Sequence, residues 1–131
     1  MQKDFDRWNE AKKKIERSTF TNYVHIREVW WCSLGVNIGR EEDGNEDFFE
    51  RPVLILNKFN RDMVLAVPLT TTPKRTPYHF LIPYNGTEVA AVLSQLRLVS
   101  TTRLKRRMFR LPDPLFDEIR AAVQRMIAAG V

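Results

Sequence analysis

At 131 residues the chain is one domain, long enough to bury roughly two-thirds of the surface its unfolded form exposes. Hydrophobic (44%) and charged (28%) shares are those of an ordinary globular protein, no apolar run approaches the ~20 residues that span a bilayer, and one cysteine excludes an internal disulfide and a cysteine-built zinc site. The net charge of +5 hides a segregation: six of the sixteen acidic residues (Glu41, Glu42, Asp43, Glu46, Asp47, Glu50) fall in one stretch, leaving a strongly basic remainder that attracts polyanions or an acidic protein segment.

The start, MQKDFDRWNE, lacks the apolar core of a secretory signal, and the expected compartment is cytoplasmic. Phe5, Trp8, Lys12 and Ile15 recur at helical spacing, which predicts a short amphipathic helix in an N-terminal extension, residues 1–22, ahead of a domain over 23–131. Its apolar face is too narrow for a membrane surface.

Ile26 to Leu34 (IREVWWCSL) is rich in aromatic and β-branched residues and reads as the first strand, with Cys32 a buried structural thiol. Gly35 to Gly39 releases the chain into an acidic loop over 40–50. Two nearly continuous apolar strands follow, about 52–58 and 63–69, turning at Phe59–Asp62. Pro52 suits a strand start, and Pro68 a strand end or bulge.

Thr70 to Pro77 is a loop carrying Lys74 and Arg75, and Tyr78 to Pro83 a short strand; Asn85-Gly86 signals a turn. Val89 to Val99 is compatible with helix or strand, and its neighbours favour a strand over 91–99. After the basic stretch Arg103–Arg110, Asp113 as N-cap and Pro114 as first helical residue open a final helix, with Leu115, Phe116, Ile119, Ala122, Val123, Met126 and Ile127 on one face and Gly130 as its stop. Five short strands and a closing helix predict a mainly β (α+β) fold, a small, strongly bent sheet or barrel.

The usual catalytic signatures are missing. There is no phosphate-binding loop and no dinucleotide glycine fingerprint, and His25 and His79 are too far apart for a zinc pair. The acidic stretch lacks the ligand spacing of a calcium loop, so neither metal nor cofactor is expected. Arginine, threonine and carboxylate remain. That set suits attack of an RNA 2′-hydroxyl on the adjacent phosphate, where the substrate supplies the nucleophile and the protein only positions, moves protons and stabilises charge. Composition alone still favours the plainer reading, in which Arg51 pairs with the acidic loop and Thr70 to Thr72 satisfy a strand end.

One resemblance shifts the balance. REVWWCSLG running to Gly39-x-Glu41, then Arg51-Pro52 with VLIL, Val67-Pro68-Leu69-Thr70, Leu93-Ser94-Gln95-Leu96-Arg97-Leu98-Val99 and Arg103-Leu104 resemble, in order and spacing, the MazF/PemK toxin endoribonucleases of type II toxin–antitoxin pairs. The resemblance covers about residues 26–127. It implies an SH3-like barrel of bent antiparallel strands with a C-terminal helix, usually a homodimer, that cuts single-stranded RNA without metal and leaves a cyclic phosphate and a 5′-hydroxyl. By position it implies Arg51 as catalytic acid/base and phosphate clamp, Thr70 as transition-state donor and Glu41 as an acidic group of the site. His79, Gln95 and Arg97 fall where relatives approach RNA, and Thr71 is grouped with them.

Lys74 and Arg75 are added from their charge, as phosphate contacts. Phe48, Phe49 and Tyr78 are candidate stacking platforms. The implied partner is an antitoxin presenting a flexible acidic segment. Arg40 and Glu42 depart from the family's usual residues, and the acidic loop is longer than in its compact members. The competing reading is a non-catalytic binding module, as in the gyrase-poisoning CcdB toxins of similar fold. Those depend on the end of the last helix, which here is an unexceptional AAGV.

Overall fold

The computed structural model describes residues 23–34 and 50–129. The expected N-terminal helix, the acidic loop with Glu41, Phe48 and Phe49, and Gly130 lie outside them. Seven strands appear: β1 (Glu28–Ser33), β2 (Glu50–Lys58), β3 (Met63–Thr70), β4 (His79–Tyr84), β5 (Thr87–Val92), β6 (Arg97–Ser100) and β7 (Leu104–Arg110), followed by one helix, α1 (Asp113–Ala129). All pairings are antiparallel, in the order β4-β5-β3-β2-β1-β7, with β6 on β3. β4 and β7 end this path without pairing to one another, so the sheet is bent but open, not a closed barrel.

β3 is the strand on which the sheet turns. One edge is held by β2 along Val64–Pro68. The other pairs with β6 along Met63–Ala66 and with β5 at Leu69–Thr70. Pro68 falls in the two-residue gap between these partners, a place that tolerates a residue with no N–H to donate. The same corner breaks the single strand expected over 91–99. The chain leaves β5 at Val92, makes a 3₁₀ turn at Leu93–Gln95 and rejoins β3 further back as β6.

The apolar run Val53-Leu54-Ile55-Leu56 is buried on both faces, as its lack of alternation implied. Leu54 and Leu56 face a core shared with Val67, Leu69 and the helix residues Phe116, Ile119 and Val123. Val53 and Ile55 face a second core with Trp30, Cys32, Ala66 and Leu104. Leu115, Ala122 and Met126 are half-buried against the first core, whereas Ile127 is 64% exposed.

Both hairpin turns follow from their residues. Asn60 Oδ1 accepts from Asp62 N (2.8 Å) and Met63 N (3.0 Å), closing the β2–β3 turn. Asn85 and Gly86 both take positive φ (49° and 74°), the requirement of the tight turn joining Tyr84 to Thr87.

Arg27, also left-handed (φ 75°), ties the sheet to the helix. Its N–H donates to Ile55 O (3.0 Å), its O accepts from Leu111 N (2.8 Å), and its guanidinium reaches Leu111 O (3.0 Å) and Asp113 Oδ1 (2.8 Å). The first helical bond runs from Phe116 N to Pro112 O, so the cap position is Pro112, one residue before Asp113.

Candidate active site

The ends of the β2–β3 hairpin define the site. Val53 faces Pro68, and continuing that register by two residues sets Arg51 opposite Thr70. Side-chain alternation puts Arg51 on the face of Val53 and Ile55, and Thr70 on the face of Pro68 and Ala66, which is the same face of the sheet. Arg51 Nη1 donates to Leu69 O at 3.3 Å, which holds the half-buried guanidinium beside the end of β3. Glu50 points to the opposite face, where its Oε2 lies 3.4 Å from Arg106 Nη1.

Thr70 is buried. Its Oγ1 accepts from Thr72 N (3.2 Å) and lies 3.2 Å from Thr72 Oγ1, so the turn after β3 fixes the hydroxyl. The i, i+2 threonine spacing could have identified Thr72 as its neighbour. Thr71, Lys74 and Arg75 are exposed in the following loop, where Arg75 Nη2 meets Glu88 Oε1 at 3.5 Å. That pair is exposed on both sides and holds Arg75 only weakly.

Cys32 is Arg51's register partner on β1. Burial pushes its thiol up to about 12, against the pull of Arg103, Arg97 and Lys105. The thiol is therefore inert; Glu50 adds to the rise, and the three cations are its charged neighbours at longer range. Of these, Arg97 is a candidate from sequence. Lys105 is not, because it belongs to a strand that in the sequence is only a basic stretch.

Gln95 and Arg97 line a cleft of about 380 Å³ together with Ser94, Leu96 and Leu98 among the described residues. His79 stands at the start of β4, and Leu93 N donates to Tyr78 O (2.7 Å), which joins β4 to the turn carrying Gln95. Structure thus gathers Arg51 and Thr70 on one face and places Gln95 and Arg97 in a cleft at the sheet's corner. Thr71, Lys74 and Arg75 sit in the loop that follows Thr70 and leads to β4. Tyr78 is 48% exposed, as a stacking residue would be. Glu41 lies outside the described residues. Among those described, no three His, Cys, Asp or Glu side chains converge, and no helix is long and apolar enough to cross a membrane.

A guanidinium and a fixed hydroxyl on one rim are donor groups of the kind that suit an anion. Comparison with known proteins gives the family and the fold. The family model described as a PemK-like, MazF-like toxin of type II toxin–antitoxin systems matches residues 26–127. A comparison with curated protein sequences gives no match. Among solved structures, MazF from Deinococcus radiodurans superposes with a TM-score of 0.65 at 18% identity, covering 82% of this chain and 99% of its own. A MazE–MazF complex from the same organism gives 0.61 at 18%, covering 81% and 97%. An endoribonuclease in complex with its cognate antitoxin, from a mycobacterial species, gives 0.63 at 17%, covering 83% and 99%. At such identities the structural likeness speaks for the fold alone.

Proposed function

The chain belongs to the PemK-like, MazF-like family of toxins of type II toxin–antitoxin systems, and on that premise we propose that it is a metal-independent endoribonuclease acting on single-stranded RNA. The observation that carries this reading is the placement of Arg51 and Thr70 on one rim, with Arg51 anchored to Leu69 O.

In this reading the RNA's own 2′-hydroxyl attacks the neighbouring phosphorus. The bond from phosphorus to the 5′-oxygen breaks, leaving a cyclic phosphate on one fragment and a 5′-hydroxyl on the other. The 2′-proton goes to a base, and a proton is delivered to the departing oxygen. Glu41 is the carboxylate proposed as base. Arg51 clamps the phosphate and serves as the acid/base group on its other side. A guanidinium spreads its donors in a plane that matches the equatorial oxygens of a five-coordinate phosphorus, where charge accumulates. Thr70 adds a donor. If Thr72 gives its N–H and its hydroxyl proton to Thr70 Oγ1, the Thr70 proton is directed to the substrate.

Thr71, Lys74, Arg75, His79, Gln95 and Arg97 extend the contact along the strand of RNA, with Arg103 and Lys105 adding charge from β6–β7. A cognate antitoxin with an acidic segment would compete for the same cations. A homodimer is the proposed assembly. The test is incubation of a long RNA with the protein in chelator, followed by mapping of fragment ends. Cyclic phosphate and 5′-hydroxyl termini that vanish with Arg51→Ala support the proposal. Wild type and variant equally inert on varied RNAs, or cleavage only with added metal, would defeat it.

A further inference from the structure

His79 is held by an arrangement that the roles above do not use. Thr76 Oγ1 lies 2.7 Å from His79 Nδ1, and the same oxygen accepts from Tyr78 N at 3.2 Å. His79 N in turn donates to Thr76 O at 3.2 Å, so the residues 76–79 close on themselves in one tight turn. A threonine hydroxyl has one proton to give. With Tyr78 N–H arriving at one lone pair, the hydroxyl proton can be given to Nδ1 through the short contact to the ring, one of the two directions that this contact allows. A neutral imidazole that accepts at Nδ1 carries its own proton on Nε2.

The register fixes where that nitrogen lies in relation to the site. His79 faces Val92 and Leu81 faces Ala90, while Ala90 pairs with Thr70. Phe80, Ile82 and Tyr84 pack towards the helix-side core, which leaves His79 and Leu81 on the other face, the one shared by Thr70 and Arg51. His79 is two strands from β3 and two residues along from the Thr70 row, about 10 Å across and about 7 Å along by ordinary sheet spacing. A strand of RNA whose reacting phosphate sits at Arg51 and Thr70 can bring a flanking phosphate to that point.

We propose that Thr76 is a positioning residue that holds His79 with its proton on Nε2, so that His79 donates to a flanking phosphate oxygen of the RNA and accepts no proton in the reaction. The proposal rests on the endoribonuclease reading for its substrate. The Thr76–His79 pairing is independent of it.

Two measurements test the two halves. Long-range ¹H–¹⁵N NMR on the free protein at neutral pH reads the tautomer directly. It should show the proton on Nε2 in the wild type and in Thr76→Ser, with the ring resonances altered in Thr76→Val. A proton on Nδ1 in the wild type overturns the pairing, whether or not the protein cuts RNA.

Steady-state cleavage reads the second half. His79→Ala should raise KM about tenfold, the scale of one charge-assisted hydrogen bond, with the loss falling on KM and not on kcat. His79→Gln, whose amide N–H₂ reaches the Nε2 position, should recover most of that loss, and the shorter His79→Asn should not. Thr76→Val should raise KM and Thr76→Ser restore it. A collapse of kcat in His79→Ala and His79→Gln alike would assign proton transfer to the ring and overturn the proposal, as would a Thr76→Val enzyme with unaltered KM. A wild type that cuts no RNA removes the functional reading, while the NMR result still decides the pairing.

Discussion

Replacing Glu28 by alanine removes the acceptor for three donors at once. Its carboxylate, 3% exposed within the sheet, accepts from His25 N (2.8 Å) and the Trp30 indole N–H (3.1 Å) at Oε1, and from Arg107 Nη1 (3.1 Å) at Oε2. Burial raises its pKa, but the hydrogen bonds from His25 N–H, Trp30 and Arg107 outweigh burial and hold it below the ordinary carboxylate range. Trp30 is itself buried, so its indole N–H loses a partner that water cannot readily replace, at about 1–3 kcal/mol. His25 N–H adds a similar but smaller term. The Arg107 side chain is 59% exposed, and its share is discounted accordingly.

The expected loss for Glu28→Ala is about 3 kcal/mol, and for Glu28→Gln, which keeps one acceptor oxygen, about 1–2 kcal/mol. The pH dependence has a definite sign. A carboxyl whose folded pKa is depressed contributes stability that is fully present above its unfolded value and is lost as pH falls through the folded one. The gap between wild type and Glu28→Gln should therefore be largest near neutrality and shrink on acidification below about pH 4.3, the ordinary glutamate value. Urea unfolding at a series of pH values measures it. A Glu28→Ala protein within about 0.5 kcal/mol of wild type, or a gap that widens as pH falls, would refute the reasoning.

Cys32, with its thiol pushed up to about 12, should resist iodoacetamide at pH 8 in the native protein and react readily in urea, as mass spectrometry can follow; rapid native alkylation would contradict the assignment. Gly86→Ala meets no atom within 4 Å but forces a φ of 74° on a residue with a Cβ, so a cost of about 1 kcal/mol is expected in the urea midpoint. Phe116→Ala opens the helix-side core and should cost about 3–5 kcal/mol by the same measurement. An effect under 1 kcal/mol would mean that α1 contributes little to the fold.

The hairpin was plain in the sequence because four successive apolar residues, Val53 to Leu56, leave no polar face, and two cores receive them. The C-terminal helix was equally plain from its spacing, and only its last apolar residue, Ile127, proves to lie in solvent. Two features were hidden. β7 reads only as a basic stretch because Lys105, Arg106 and Arg107 are successive exposed cations on a strand at the end of the sheet, where charge discourages further pairing. Only Leu104, Met108 and Phe109 betray it. The run 91–99 looks like one strand because it is largely apolar on both sides of a corner, interrupted only by Ser94-Gln95 and Arg97.

In the site, Arg51 and Thr70 were nominated by resemblance, and the register explains how residues so far apart in sequence come to one face. Thr72, the hydrogen-bonded neighbour of Thr70, and Thr76, that of His79, carry a signal in the sequence only through their i, i+2 and i, i+3 spacings. Glu28 carries a similar signal. Two residues before Trp30 on the same strand face, it was placed to receive the indole N–H.

The central claim is that Arg51 and Thr70 act on one phosphate, and a double-mutant cycle on RNA cleavage tests it most directly. Rates for wild type, Arg51→Ala, Thr70→Val and the double variant would be compared in chelator. The account predicts losses of about 10²–10³ for Arg51→Ala and a double variant far less impaired than the product of the single losses, since both donors serve the same transition state. Independent, multiplicative effects, or single variants that cut RNA at the wild-type rate, would contradict it.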